Sequence, residues 1–173
     1  KSVQLGRGLE KTGRLGRSSM HRTIHALRVC QLKLKQHGVT RMRLVATEAC
    51  RRAANARAFI RQVKREAGLQ LEIIEPEEEA RLAVISCAPL VSIKTEQLLV
   101  VDIGGGSTEL VWIDLSSVPK RERPRAIMRL HAGFHPAESP FAAAKVVDWI
   151  SVPLGVATLR DQFNDVEDDS ARY

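Results

Sequence analysis

Apolar side chains recur at helical spacing in some stretches and crowd into short runs in others, with glycines at most of the borders. Met20, Ile24, Leu27 and Leu34 stand at intervals of three, four and seven. That spacing predicts a helix capped by Ser18 or Ser19 and ended by Gly38 in the left-handed position. Phe59, Ile60, Val63 and Ala67 predict a second helix, capped near Asn55 and stopped at Gly68. A third begins at Pro76, a residue suited to the first helical turn, and turns Ala80, Ala83, Val84 and Cys87 inward. The short apolar runs 41–46 and 69–74 read as strands between these helices. Strand and helix therefore alternate, which is the pattern of an α/β fold.

Further along, residues 89–97 form a looser connection, and 98–103 and 108–113 predict two strands around a glycine turn. Residues 126–130 and 146–152 are further strand candidates, with an irregular excursion at 133–136 between them. A last helix is expected at 155–163, and the acidic stretch 165–173 is expected to fray. The Gly- and Arg-rich opening, 1–17, reads as strand end and loop. Two strand groups separated by a long helix and loop divide the chain into a first α/β lobe, 1–90, and the start of a second, 91–173, each with its own sheet.

Composition narrows this picture. The chain has 173 residues, room for one ordinary domain or two small lobes, and a hydrophobic fraction of 44% excludes wholesale disorder. The longest apolar runs are far too short to cross a bilayer, and no secretory leader is expected from the opening residues. Cys30, Cys50 and Cys87 are scattered, without CxxC spacing, which argues for reduced thiols in a cytoplasmic protein rather than a disulfide framework or zinc site. The five histidines are dispersed and read as surface or packing residues. The net charge of +7 is unevenly spread: residues 1–65 hold 17 Lys and Arg against two acids, the remainder 10 against 18. Such asymmetry suggests a polyanionic partner for the first part. Aromatics make up only 4% and none interleaves with the early basic residues, which disfavours nucleic-acid readout by stacking.

The sharpest chemical feature is the loop Asp102-Ile103-Gly104-Gly105-Gly106-Ser107-Thr108-Glu109. Glycines let backbone N–H groups approach a phosphate closely, and Ser107 and Thr108 add hydroxyl donors. Asp102 and Glu109 stand at matching ends of the implied hairpin, where both can face one hydrated magnesium ion. A second acidic feature is Glu77-Glu78-Glu79 behind Pro76. The helix macrodipole alone favours acids there, and spacing does not choose which carboxylate would orient a water against phosphorus.

The stretches Ala46-Thr47-Glu48-Ala49-Cys50-Arg51-Arg52-Ala53-Ala54-Asn55, Glu77-Glu78-Glu79-Ala80-Arg81-Leu82 and 101–111 resemble three successive motifs of the exopolyphosphatase/guanosine pentaphosphate phosphatase (Ppx/GppA) family. Leu5-Gly6-Arg7-Gly8 and Pro153-Leu154-Gly155 match near the two ends. The resemblance implies a two-lobed, ribonuclease-H-like (actin-like ATPase) fold, incomplete in this chain. It also implies a Mg2+-assisted hydrolase that removes terminal phosphate from inorganic polyphosphate or pppGpp. Carried over by motif position, Glu79 would orient the attacking water and Asp102 and Glu109 would hold the metal. Gly104, Gly105, Gly106, Ser107 and Thr108 would bind phosphate, and so would Arg51. The chain departs from the family in having Pro76 where Gly is usual and Arg52 where an acid or amide is usual. Nothing in 1–16 matches the family's first phosphate loop of the type Asp-x-Gly-Ser-Asn, so the chain reads as a fragment lacking that loop and its strands.

Two other readings stay open at this level. One is an actin-like or sugar-kinase-like phosphotransferase, which shares the glycine loop; the other is a basic module that docks polyanion or RNA without turnover. The expected partners are polyphosphate or guanosine pentaphosphate, with nucleic acid disfavoured, no membrane, and a homodimer compatible with everything above.

Overall fold

The structure, a computed structural model, describes residues 3–130, 134 and 144–162. It falls into two compact units, Lys1–Ile74 with Leu154–Tyr173, and Glu75–Pro153. In the first unit a short helix α1 (Leu9–Thr12) precedes α2 (Arg17–Gln36), β1 (Val45–Ala46), α3 (Glu48–Arg52), α4 (Ala56–Ala67) and β2 (Glu72–Ile73). Its core gathers Leu9, Leu15, Ile24, Cys50, Phe59 and Val63, with Met20, Leu27 and Leu34 packed against them. The stripe read from the sequence on α2 is therefore its inner face. Both helices end at glycines with left-handed backbone, Gly38 at φ 61° and Gly68 at φ 66°, as the sequence suggests.

Several details differ from expectation. Neither serine caps α2, whose N-terminal flanking residue is Gly16. Ser19 is instead buried and accepts a hydrogen bond from Arg22 Nη2 at 2.9 Å. Asn55 does precede α4, but its amide is spent on a distant loop: Oδ1 accepts from Leu15 N at 2.8 Å and Nδ2 donates to Leu15 O at 3.0 Å. The two expected strands contract to two-residue pieces paired in parallel, Val45 with Glu72 and Ala46 with Ile73.

The second unit opens with α5 (Pro76–Ser86) and continues through 3₁₀ turns at Ala88–Leu90 and Lys120–Glu122 around β3 (Gln97–Ile103) and β4 (Thr108–Asp114). Then come α6 (Arg123–Met128) and β5 (Lys145–Val152). The three strands form an antiparallel sheet in the order β3-β4-β5. Ala80 and Val84 of α5 pack into one core with Val100, Val111, Ile113, Leu115 and Ile127. This packing explains why the units divide between residues 74 and 75 rather than at the expected 90/91: α5 covers the sheet that follows it. After β5, α7 (Val156–Gln162) groups with the first unit.

Residues 126–130, expected as a strand, lie largely in α6. Pro124 stands in its first turn, and the buried Ile127 and Leu130 are spaced as a helix requires. The expected irregular stretch 133–136 (apart from Phe134), His131 and the acidic stretch 165–173 lie outside the described residues. Among the described residues no helix is long and apolar enough to cross a membrane.

Candidate active site

Antiparallel pairing puts directly opposed residues on the same face of a sheet. Val100 opposes Val111, and both are buried against α5, so this is the inner face. Two positions on along each strand, Asp102 opposes Glu109, and Glu109 in turn opposes Ser151 of β5. One row across three strands therefore reads Asp102, Glu109, Ser151, where the apolar face of the sheet gives way to polar side chains. The intervening positions Leu99, Val101, Ile103 and Ile150 point the other way and are exposed.

The three members of the row differ in environment. Asp102 is exposed, whereas Glu109 is only 1% exposed. Ser151 Oγ donates to Glu109 Oε1 at 2.9 Å, while Glu109 Oε2 is buried and receives no hydrogen bond among the described residues. A buried, unsatisfied carboxylate oxygen costs about 1–3 kcal/mol, and such atoms are rare unless they await a cation, water or substrate.

The turn beside this row spans Gly104 to Ser107, and Gly104 N donates to Ser107 O at 2.9 Å. Close approach asks for glycine here, since a Cβ on Gly104 would sit 3.1 Å from the Ser107 carbonyl oxygen. At Gly105 a Cβ would meet nothing within 4 Å, so that side of the loop is open. Among the described residues no acceptor takes the N–H groups of Gly105, Gly106 or Ser107. Ser107 is buried, and Thr108 is half-buried and takes part in a further interaction.

In α5 the three acids are no longer equivalent. Glu78 is held by Arg81 through two hydrogen bonds, Nε to Oε2 at 2.6 Å and Nη2 to Oε1 at 2.9 Å. Arg81 Nη1 also donates to Leu130 O at 2.8 Å, tying α5 to the end of α6. Glu79 has one buried oxygen, Oε2, that receives no hydrogen bond among the described residues, although the residue takes part in a further interaction. The acid following Pro76 and the acid before Ala80 thus flank a structural ion pair.

Arg51 belongs to the first unit, in α3. Its Nη2 donates to Glu48 Oε2 at 3.0 Å and its Nη1 to Ile74 O at 2.7 Å, which fixes the plane of the guanidinium. Next to it, burial pushes the Cys50 thiol above its usual range, the Arg51 charge opposing only in part. A packed, protonated thiol fits the sequence reading, in which Cys50 is no nucleophile. A cleft of about 470 Å³ opens elsewhere in this unit, among Leu34, Val39, Met42 and Leu69; none of the expected site residues lines it.

The family model for Ppx/GppA phosphatases matches residues 1–170. The chain belongs to the Ppx/GppA phosphatase family. Among solved structures it is similar to the Aquifex aeolicus member of the Ppx/GppA family, with 35% identity and a TM-score of 0.61 over 94% of this chain and 44% of that one. An exopolyphosphatase-like protein is 27% identical with a TM-score of 0.73, again over 94% of this chain and 44% of the other. An exopolyphosphatase from Cytophaga hutchinsonii, at 23% identity and a TM-score of 0.72 over 94% and 43%, shares the fold. The chain thus carries part of the ribonuclease-H-like, actin-like ATPase fold of Ppx/GppA structures and spans less than half the length of those it matches.

Within this Ppx/GppA chain, the second unit brings together the glycine loop, Asp102, Glu109 and the helix that bears Glu79. Among the described residues no group of three or more His, Cys, Asp or Glu side chains is arranged to hold a metal. Magnesium commonly takes only one or two carboxylates and completes its shell with water and substrate phosphate. The Asp102–Glu109 pair, with its open buried oxygen, fits that donor pattern. Sequence reasoning missed two members of the arrangement, Ser151 and Arg81. Ser151 is 42 positions from Glu109, so only the strand register reveals the contact. The Glu78–Arg81 pair was open to inspection as an i, i+3 salt-bridge spacing.

Proposed function

We propose that this chain is the phosphate-handling part of a magnesium-assisted phosphoanhydride hydrolase that releases terminal phosphate from inorganic polyphosphate or pppGpp. The observation that carries the reading is the buried Glu109 carboxylate, opposite Asp102, whose Oε2 receives no hydrogen bond among the described residues, beside a loop in which the amides of Gly105, Gly106 and Ser107 meet no acceptor among those residues. A hydrated divalent cation supplies neutralisation of charge on the phosphate oxygens when bound, and Asp102 and Glu109 are the side chains that would hold it. The N–H groups of Gly105, Gly106 and Ser107, with the Ser107 and Thr108 hydroxyls, cradle the terminal phosphate next to Gly104. Arg51, its guanidinium plane fixed by Glu48 within the first unit, is a proposed phosphate ligand on its place in the family motif.

Glu79 orients a water for in-line attack. The water oxygen forms a new P–O bond, the bond from phosphorus to the bridging oxygen breaks, and the water's proton passes to the Glu79 carboxylate. The products are orthophosphate and a chain one phosphate shorter, or ppGpp. The basic first 65 residues favour a long polyanion as substrate, drawn in electrostatically. The protein works in the reducing cytoplasm, in keeping with its free cysteines.

The test is phosphate release by the intact protein from polyphosphate and from pppGpp, with a magnesium titration. Asp102→Asn is expected to raise the magnesium requirement and cut turnover far more than it lowers the melting temperature. Unchanged magnesium dependence in that variant, or no release from either substrate by the wild type, overturns the reading.

A further inference from the structure

A hydroxyl outside every motif singled out in the sequence holds the most buried acid among the described residues. Ser151 lies in β5 directly across from Glu109, and its Oγ donates to Oε1 at 2.9 Å. The bond occupies one carboxylate oxygen and leaves the other, Oε2, buried and without a hydrogen bond among the described residues. A carboxylate with neither oxygen fixed swings about its last torsion, which is broad and roughly two-fold. With Oε1 tethered, Oε2 is committed to one position. The tether is itself well founded, because β4 and β5 pair continuously from Thr108–Val152 to Val111–Trp149 on the loop side of the bulge.

We propose that Ser151 is a positioning residue for Glu109: it orders the carboxylate so that Oε2 faces the cation that accompanies the phosphate substrate. The inference rests on the reading of Asp102 and Glu109 as the cation-holding pair. Ser151 touches neither substrate nor reacting atoms and acts only through Glu109. Hydrogen bonds to a metal-ligating carboxylate typically change metal affinity or activity 10- to 100-fold when removed.

The experiment compares the intact wild type with Ser151→Ala, Ser151→Thr and Glu109→Gln. Binding is read with Mn2+ alone, by electron paramagnetic resonance without substrate, and turnover is followed across a magnesium titration. Ser151→Ala is expected to weaken Mn2+ binding about tenfold or more and to raise the magnesium concentration for half-maximal rate in parallel. Ser151→Thr keeps the hydroxyl and is expected to bind Mn2+ within about threefold of wild type. A purely structural role for Ser151 predicts a lower melting temperature in Ser151→Ala with unchanged Mn2+ affinity, and that result overturns the proposal. So does a threonine variant as impaired as the alanine one. If Glu109→Gln itself binds Mn2+ like wild type, the cation-pair reading fails and the proposal fails with it. If Glu109→Gln loses binding while Ser151→Ala retains it, only the role of Ser151 is overturned.

Discussion

Replacing Glu109 by Gln should make the protein more stable while removing its activity, and magnesium should reverse the order of stability. The side chain is 1% exposed, and one of its carboxylate oxygens has no hydrogen bond among the described residues. A glutamine of the same shape keeps an oxygen for the Ser151 hydroxyl and buries no charge. The hydrogen-bond deficit at the second terminal atom remains, so the gain comes from the charge alone. Leaving a buried polar group unsatisfied costs about 1–3 kcal/mol, and more when it is charged, so relieving the charge alone while the deficit remains belongs near the lower end, about 1–2 kcal/mol. For a chain of this length that corresponds to a rise in melting temperature of roughly 2–8 °C. Saturating magnesium should instead stabilise the wild type, by about 2.7 kcal/mol at a hundredfold excess over its dissociation constant, and leave the variant unmoved. Calorimetric scans of both proteins with magnesium and with chelator measure all four terms. A variant that melts lower than wild type by the same margin in both conditions would show that Glu109 has a satisfied structural role, and the reasoning would be refuted.

The acids of α5 should separate in the same kind of assay. Glu79→Gln is expected to fold and bind substrate but to lose turnover roughly a hundredfold or more, whereas Glu77→Gln stays near wild type. Glu78→Gln should keep its turnover and lose up to about 1 kcal/mol with its Arg81 pair, read from urea unfolding; equal turnover in all three variants removes Glu79 from the mechanism. Hydrogen bonds from Arg52 hold the Glu10 carboxyl below its usual 4.5, so this pair favours the folded state above pH 4.5 and ceases to as the pH falls through the lowered value. Melting curves of Glu10→Gln should accordingly converge on wild type at acid pH and fall slightly below it at neutral pH, with a small difference because the pair is solvent-screened. Thiol labelling of the native protein should modify the exposed Cys30 first and the buried Cys50 last, as its raised pKa also requires; rapid labelling of Cys50 counts against the packed core around Phe59.

Whatever depended on neighbours along the chain could be read in advance. The glycine loop announces itself because its acids, glycines and hydroxyls are consecutive, and α2, α4 and α5 follow from spacings within a few turns. Residues 126–130 misled because a short apolar run carries no period long enough to tell strand from helix, and packing of Ile127 and Leu130 decides it. The runs at 41–46 and 69–74 form strand only where they meet each other, at two positions apiece. Likewise, α5 looks like the tail of the first lobe until its alanine and valine are seen against Val100 and Val111. In the site, spacing left the three glutamates equal, and the Arg81 clamp on Glu78 sets that residue apart. Ser151 could not be foreseen, since its relation to Glu109 exists only in the register of β5 on β4.

The row across the sheet also dictates where this architecture can change length. Asp102 and Glu109 are joined by a single tight hairpin, while Glu109 and Ser151 are 42 positions apart with a long connection between their strands. One residue inserted between Glu109 and Val111 would turn the acid to the face that carries Leu110 and Trp112, and two would carry it past both of its neighbours in the row. Insertions between β4 and β5, by contrast, are absorbed by the connection at a closure cost that grows only slowly with length. Chains built on this plan should therefore hold the first interval fixed and let the second drift. A search that demands both carboxylates at a rigid spacing, and allows the serine to float, would find the row where a contiguous motif would not.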